Sequence, residues 1–242
     1  MSTVVITGSA RGIGAAAAAL FADIGYNVII NYNTSGAEAL ALCEKITAGG
    51  GKAIAVQADV SKMSEAKRLF DEAKKAFGTV DILVNNAGIA QQKLFTDITE
   101  ADYDRMFDCN VRGVFNCCQC ALPDMIHNKY GRIINISSMW GVVGASCEVH
   151  YSASKAAVIG MTKALAREVA PSGITVNCIA PGVIDTPMNK GFDEETLAAL
   201  REETPVGRLG TPEDVARAIR FLADEKSSFI TGQTLGIDGG FI

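Results

Sequence analysis

The chain has 242 residues, 48 % of them hydrophobic and 20 % charged, and its 22 Lys+Arg against 27 Asp+Glu leave a net charge of −5. Without a dense basic cluster this balance excludes a phosphate-reading nucleic-acid binder, and the composition excludes a disordered chain. The longest apolar runs, such as Ala15 to Ala22, fall short of the ~20 residues of a membrane span, and no basic segment marks a signal peptide ahead of the first strand-like run.

In chain order, strands are predicted at Thr3 to Thr7, Asn27 to Tyr32, Ala53 to Gln57, Ile82 to Asn85, Arg132 to Ser137, Thr175 to Ala180 and Thr234 to Ile237. Most are continuous apolar runs, the sign of strands buried on both faces of a parallel sheet. Between them lie crossover-length helical segments, among them Ile13 to Ile24, Ala37 to Ala48, Ser64 to Phe77 and Tyr151 to Ala170. The expected fold is α/β, a doubly wound seven-stranded parallel sheet of Rossmann type in one domain over 1–242, with the cleft in the same domain. Thr211-Pro212-Glu213-Asp214 predicts a helix start, and Pro171 with Gly173 predicts the end of the helix that carries Tyr151. Seven cysteines, an odd count without a pair of CxxC motifs, fit reduced and mostly buried thiols in the cytoplasm. Cys117, Cys118 and Cys120 read as core packing in an apolar helix, with no metal site expected.

Thr7-Gly8-Ser9-Ala10-Arg11-Gly12-Ile13-Gly14 follows the first strand and opens the first helix. Glycines at 8, 12 and 14 allow a tight turn, a close approach to a pyrophosphate and a helix packed tightly on the sheet, while the helix N-terminus offers free N–H groups. The pattern predicts a dinucleotide, with Gly8, Ser9, Arg11, Gly12, Ile13 and Gly14 as contacts. At the end of the second strand, Asn31-Tyr32-Asn33-Thr34-Ser35 holds no acid to claim ribose hydroxyls. Arg11, helped by Asn33 and Ser35, would instead pair with a 2′-phosphate, which favours NADPH over NADH. If Arg11 is only a solvated loop charge, either cofactor is accepted.

Tyr151 and Lys155 stand one helical turn apart on one face. A neighbouring ammonium is expected to lower the phenol's pKa from about 10 toward usable acid-base chemistry. Ser138 exits the fifth strand at the carboxyl edge, where its hydroxyl would bond a substrate carbonyl.

Together these segments resemble the short-chain dehydrogenases/reductases over nearly the whole chain. The likeness rests on TGSARGIG at 7–14, Asp59-Val60, NNAG at 85–88, Asn110, Ser138, YSASK at 151–155 and PGVIDT at 181–186. It implies hydride transfer between a nicotinamide and a carbonyl carbon without metal, with a tetrad of Asn110, Ser138, Tyr151 and Lys155. Tyr151 would be the acid, Ser138 would polarise the carbonyl, Lys155 would hold the nicotinamide ribose, and Asn110 would anchor a relay water. Asp59 and Val60 would border the adenine, Asn86, Ala87 and Gly88 the adenosine ribose, and Pro181, Gly182, Ile184 and Thr186 the nicotinamide side. Within the family, PVGRLGTPED at 205–214, FITG at 229–232 and Asp238-Gly239-Gly240 look like the bacterial 3-oxoacyl-[acyl-carrier-protein] reductases. That branch implies an acyl carrier protein as partner and a homotetramer, for which the apolar end Phe241-Ile242 suits an interface.

The segment between Ser138 and Tyr151 contains Glu148 and His150, unexpected beside an acyl chain. Either both face solvent or a neighbouring subunit, or Glu148 pairs with a cationic group on the substrate. A smaller branch, which reduces an amino-ketone on a lysine of a translation elongation factor, resembles the stretch from Gly144 to Val149. Carrier-protein docking would instead use basic groups at the cleft mouth, with Lys129 and Arg132 as candidates. A third alternative is an NADPH-binding sensor without turnover.

Overall fold

The computed structural model describes residues 2–187 and 193–242. Seven strands, β1 (Thr3–Ile6), β2 (Asn27–Tyr32), β3 (Lys52–Gln57), β4 (Ile82–Asn85), β5 (Gly131–Ile136), β6 (Ile174–Pro181) and β7 (Thr234–Ile237), pair in parallel in the order 3-2-1-4-5-6-7. The helices are α1 (Gly12–Asp23), α2 (Gly36–Ala48), α3 (Met63–Phe77), α4 (Glu100–Phe107), α5 (Gly113–Asn128), the single turn α6 (Trp140–Val143), α7 (Val149–Val169), α8 (Glu194–Glu203) and α9 (Pro212–Ala223).

Strand periodicity explains the continuous apolar runs. Successive side chains point to opposite faces, so Val4, Ile6, Val28, Ile30, Ile82 and Val84 enter one core, while Val5, Ile29 and Leu83 enter the other. The first core is closed by α1 through Ala17, Ala18 and Phe21 and by α9 through Val215, Ile219 and Leu222. α3, α5 and α7 close the second, with Leu69, Phe70, Val114, Val158 and Ala166. Cys117 and Cys118 are part of this second core, and the Cys118 sulfur accepts a hydrogen bond from the Asn85 amide at 3.4 Å. All seven cysteines are free thiols. No helix is long and apolar enough to cross a membrane among the described residues.

After β3 the chain crosses to β4 on the far side of β1. At this reversal the loops leave in opposite directions and open a crevice at the carboxyl edge. The predicted helix signals operate as written: Thr211 and Asp214 form a reciprocal capping box with Pro212 in the first turn. α7 gives way to a 3-10 turn at Ala170–Ser172, closed by Gly173 at φ 76°.

One expectation needs correction. Lys129 and Arg132 lie at the amino end of β5, across the six-residue strand from Ser138, and so at the edge opposite the crevice. Arg132 is buried, donates to the carbonyls of Gly131 and Gly173 and covers the Tyr130 ring at 4.6 Å. Neither residue is at the cleft mouth. Between β4 and β5, where no boundaries were predicted, α4 and α5 are joined by a π-helical turn, Asp108–Arg112.

Candidate active site

Four features of the carboxyl edge bring the predicted tetrad together. β5 continues its pairing past its own end, with Ser137 N–H on the Ile179 carbonyl at 2.8 Å and Met139 N–H on the Pro181 carbonyl at 2.9 Å, which fixes Ser138 at the crevice. α7 supplies Tyr151 and Lys155 from its first two turns. α6 sits directly on α7, since a Cβ on Gly141 would come within 2.8 Å of Lys155. The π-helical turn carries Asn110, whose buried side chain reaches Ile89 after β4 and Ser154 on α7. Such turns insert one residue into a helix and re-aim a side chain, a recurrent device at functional sites.

Tyr151, Ser138, Lys155 and Asn110 are all buried. The Lys155 ammonium lies 5.8 Å from the Tyr151 ring centre and donates to the Ile136 carbonyl at 2.9 Å. That is its one hydrogen bond among the described residues, so a three-donor group keeps donors unspent in a buried place. The ammonium borders Gly88, where a Cβ would stand 3.3 Å from it.

The electrostatics reverse one expectation. Burial pushes the Tyr151 phenol up to about 12; the Ser138 hydroxyl facing it pulls the other way, and the Glu148 carboxylate raises it further. Burial also drags Lys155 down to about 8. The expected lowering by Lys155 is not seen: burial dominates the phenol's shift, and the ammonium stands 5.8 Å from the ring centre. Tyr151 is therefore held protonated, the state a proton donor needs.

The glycine turn is built as the pattern predicted. Gly8 and Gly12 have φ of 61° and 57°, where a side chain is strained. A Cβ on Gly8 would meet the Ala87 backbone at 2.8 Å, and one on Gly14 would meet the Asn86 amide at 2.6 Å. Asn86 clamps the turn by donating to the carbonyls of Thr7 and Gly8, both at 3.0 Å. Thr186 faces Gly12 across the crevice, with its methyl 3.4 Å from where a Cβ would be. Ser9 is different: its buried hydroxyl donates to the Ile6 carbonyl at 2.7 Å and accepts from Asn31 N–H, while its own N–H bonds the Asn31 carbonyl. It holds the turn to β2 rather than facing the crevice.

Sequence reasoning missed Asn31. Its side chain accepts from Gly8 N–H at 3.1 Å and donates to the carbonyls of Val56 and Ala58, tying the turn to β2 and β3. An asparagine inside an apolar run was the available signal, because a buried amide needs such partners. Arg11 and Asn33 are exposed, and Arg11 makes no ion pair among the described residues. Asp59 bonds Ser61 and Lys62, and Val60 and Ile184 are buried. Glu148 and His150 do not face solvent. Glu148 is half-buried to buried, with its carboxylate 3.3 Å from the Gln92 amide, and burial raises its pKa.

A glycine turn at a strand reversal, facing a buried Tyr-Lys pair and a serine, defines a nicotinamide-dependent oxidoreductase. The chain belongs to the short-chain dehydrogenase/reductase family and acts on a carbonyl or alcohol group. The family profile described as "Enoyl-(Acyl carrier protein) reductase" matches residues 8–242. The 3-oxoacyl-[acyl-carrier-protein] reductase FabG of Staphylococcus aureus is 43 % identical over 98 % of this chain and 96 % of its own length. A 3-oxoacyl-[acyl-carrier-protein] reductase of Synechocystis is 43 % identical over 98 % of this chain and 96 % of its own. The crystal structure of the Brucella melitensis 3-oxoacyl-[acyl-carrier protein] reductase superposes with a TM-score of 0.94 at 36 % identity, covering 100 % of this chain and 91 % of that one.

Proposed function

We propose that this protein reduces a ketone to a secondary alcohol with NADPH, and that its substrate is a 3-oxoacyl group on an acyl carrier protein. The observation that carries the reading is a protonated phenol, Tyr151, buried beside the Ser138 hydroxyl at the edge that also holds the glycine turn and Lys155. Two hydroxyls converging on one point suit a carbonyl oxygen, which gains charge during reduction, better than a carbon acceptor. The curated relatives carry the name of a 3-oxoacyl reductase, which supports a ketone over the double bond in the family profile's description.

The residues present fit the dinucleotide. Positions 8 and 14 have no space for a Cβ, which lets the turn pack tightly on Asn86 and Ala87, and Lys155 holds donors that a ribose diol would use. Gly8, Gly12, Ile13, Gly14, Asp59, Val60, Asn86, Ala87, Gly88, Pro181, Gly182, Ile184 and Thr186 would surround it, and Arg11, Asn33 and Ser35 would take the 2′-phosphate. When bound, the nicotinamide supplies the hydride. Tyr151 donates its phenolic proton to the carbonyl oxygen, Ser138 orients that oxygen, and the Lys155 ammonium would hold the nicotinamide ribose. The Asn110 side chain is spent on Ile89 and Ser154, so it serves to fix the edge of this site.

The whole chain would work as one domain, as a cytoplasmic homotetramer. The exposed apolar side chains of Leu235 on edge strand β7, Phe229 and Ile242 support the assembly. Glu148 favours a second reading. A largely buried carboxylate that meets only an amide, close enough to Tyr151 to raise its pKa, fits a substrate ammonium, as in an amino-ketone made from a protein lysine. The test is NADPH oxidation with acetoacetyl thioester, an amino-ketone and its N-acetyl form as rival substrates. Preference for the amino-ketone that disappears in Glu148→Gln selects the second reading; preference for the thioester in both proteins selects the first.

A further inference from the structure

Tyr151 is the third residue of α7, and the N-cap of that helix, Glu148, makes no side-chain cap bond. The turn that aims the catalytic phenol therefore lacks the usual local fixture. It is held instead from α4. The His150 ring nitrogen Nε2 lies 3.0 Å from Gln91 Oε1, and Gln91 Nε2 donates to Asp102 Oδ1 at 2.9 Å. Asp102 Oδ2 accepts from Lys93 Nζ at 2.6 Å and from the N–H and hydroxyl of Thr99 at 3.0 and 2.7 Å.

Hydrogen-bond polarity then fixes every proton in the chain. A carboxylate only accepts, so Asp102 compels Gln91 to present its nitrogen to α4 and its oxygen to His150. An oxygen facing the ring requires a proton on Nε2. The neutral imidazole consequently carries its lone pair on Nδ1, which is buried without a partner. His150 is neutral, since burial lowers its pKa, and Lys93 lowers it too against the opposing Asp102. Those two charges face it from the loop and from α4; Glu148 and Tyr151 flank it on its own chain segment.

We propose that His150 and Gln91, polarised by Asp102, are positioning residues that hold Tyr151 over the reacting carbonyl. This rests on the reductase reading of the site. Asp102→Asn must turn an amide nitrogen toward Gln91, because Lys93 and Thr99 still need the oxygen. Gln91 then flips, its nitrogen faces the ring, and His150 moves its proton to Nδ1.

The experiment uses 15N-histidine-labelled full-length protein, which is simple to assign because the chain has only 2 histidines. The expected result is Nε2–H with an unprotonated Nδ1 for His150 in the wild type, and Nδ1–H in Asp102→Asn. His150→Gln, which keeps a donor toward Gln91, should retain kcat within about threefold. His150→Leu should lose kcat by about 10- to 100-fold, with the NADPH dissociation constant unchanged. An Nδ1–H wild type, or a His150→Leu enzyme with wild-type kcat, overturns the proposal even if Asp102→Asn fails to fold. Absence of wild-type turnover on every ketone would count against the reductase reading, while the tautomer would still decide the polarity of the chain.

Discussion

The Asn110 side chain and the Ile89 backbone exchange two hydrogen bonds, Ile89 N–H to Asn110 Oδ1 at 2.8 Å and Asn110 Nδ2 to the Ile89 carbonyl at 2.9 Å. A side chain thus copies one rung of a sheet and ties the π-helical turn to the segment leaving β4. Asn110→Asp keeps the acceptor but sets a carboxylate oxygen against the Ile89 carbonyl. We expect a loss of about 1–3 kcal/mol of stability, read as a lower urea midpoint, and a fall in kcat. An unchanged midpoint would show that the exchange contributes nothing.

Removing the phenolic oxygen tests the acid directly. Tyr151→Phe should lower kcat by roughly 10²- to 10⁴-fold and leave the NADPH dissociation constant, measured by fluorescence, where it was. Turnover at the wild-type rate would transfer the proton-donor role to another group.

Lys155 is predicted to limit stability in the absence of cofactor. Its pKa falls from 10.5 in an unfolded chain to about 8 in the folded one, so below pH 8 both states hold the proton and the folded state bears the full cost of burying it. Between those values only the unfolded state binds the proton, and stability rises with pH. Lys155→Met should therefore unfold later than the wild type by at most about 3 kcal/mol near pH 7, with the difference fading toward pH 10.5. Chemical denaturation across that range checks it; a variant less stable than wild type at pH 7 refutes it.

Cofactor choice should follow the exposed groups around the second strand's end. Arg11→Ala combined with Asn33→Asp removes a phosphate partner and adds an acid, and should shift the NADPH-to-NADH ratio of kcat/KM by roughly 10- to 100-fold toward NADH, the worth of one charge-assisted hydrogen bond or two. Paired steady-state assays measure it, and an unmoved ratio would make Arg11 a bystander.

The strands, the ends of α1, α2, α3 and α7 and the start of α9 were legible because each rests on local chemistry: β-branched runs, the Thr211 cap, Gly173 after α7. The glycine turn and the Tyr151-Lys155 pair were legible for the same reason, being short-range spacings. What escaped depends on contacts far apart in the chain. Asn31 to Gly8 spans 23 residues and His150 to Gln91 spans 59. Burial of Glu148 arises from the same long-range packing, for Lys93 N–H holds the Cys147 carbonyl at 2.7 Å just before it. Lys129 and Arg132 misled because sequence proximity to Ser138 conceals a full strand length. The phenol's pKa misled because spacing shows a neighbour's charge but not the water excluded from both.

The crossing from β3 to β4 also divides labour along the chain. Asn110, Ser138, Tyr151 and Lys155 all follow it, whereas the glycine turn, Asn31 and Asn33 all precede it. On the proposed reading the preference for NADPH rests with Arg11 and Asn33 in the first stretch of the gene, and a hybrid that exchanges only the amino-terminal third for that of a relative would inherit the donor's nucleotide taste while keeping the recipient's choice of ketone.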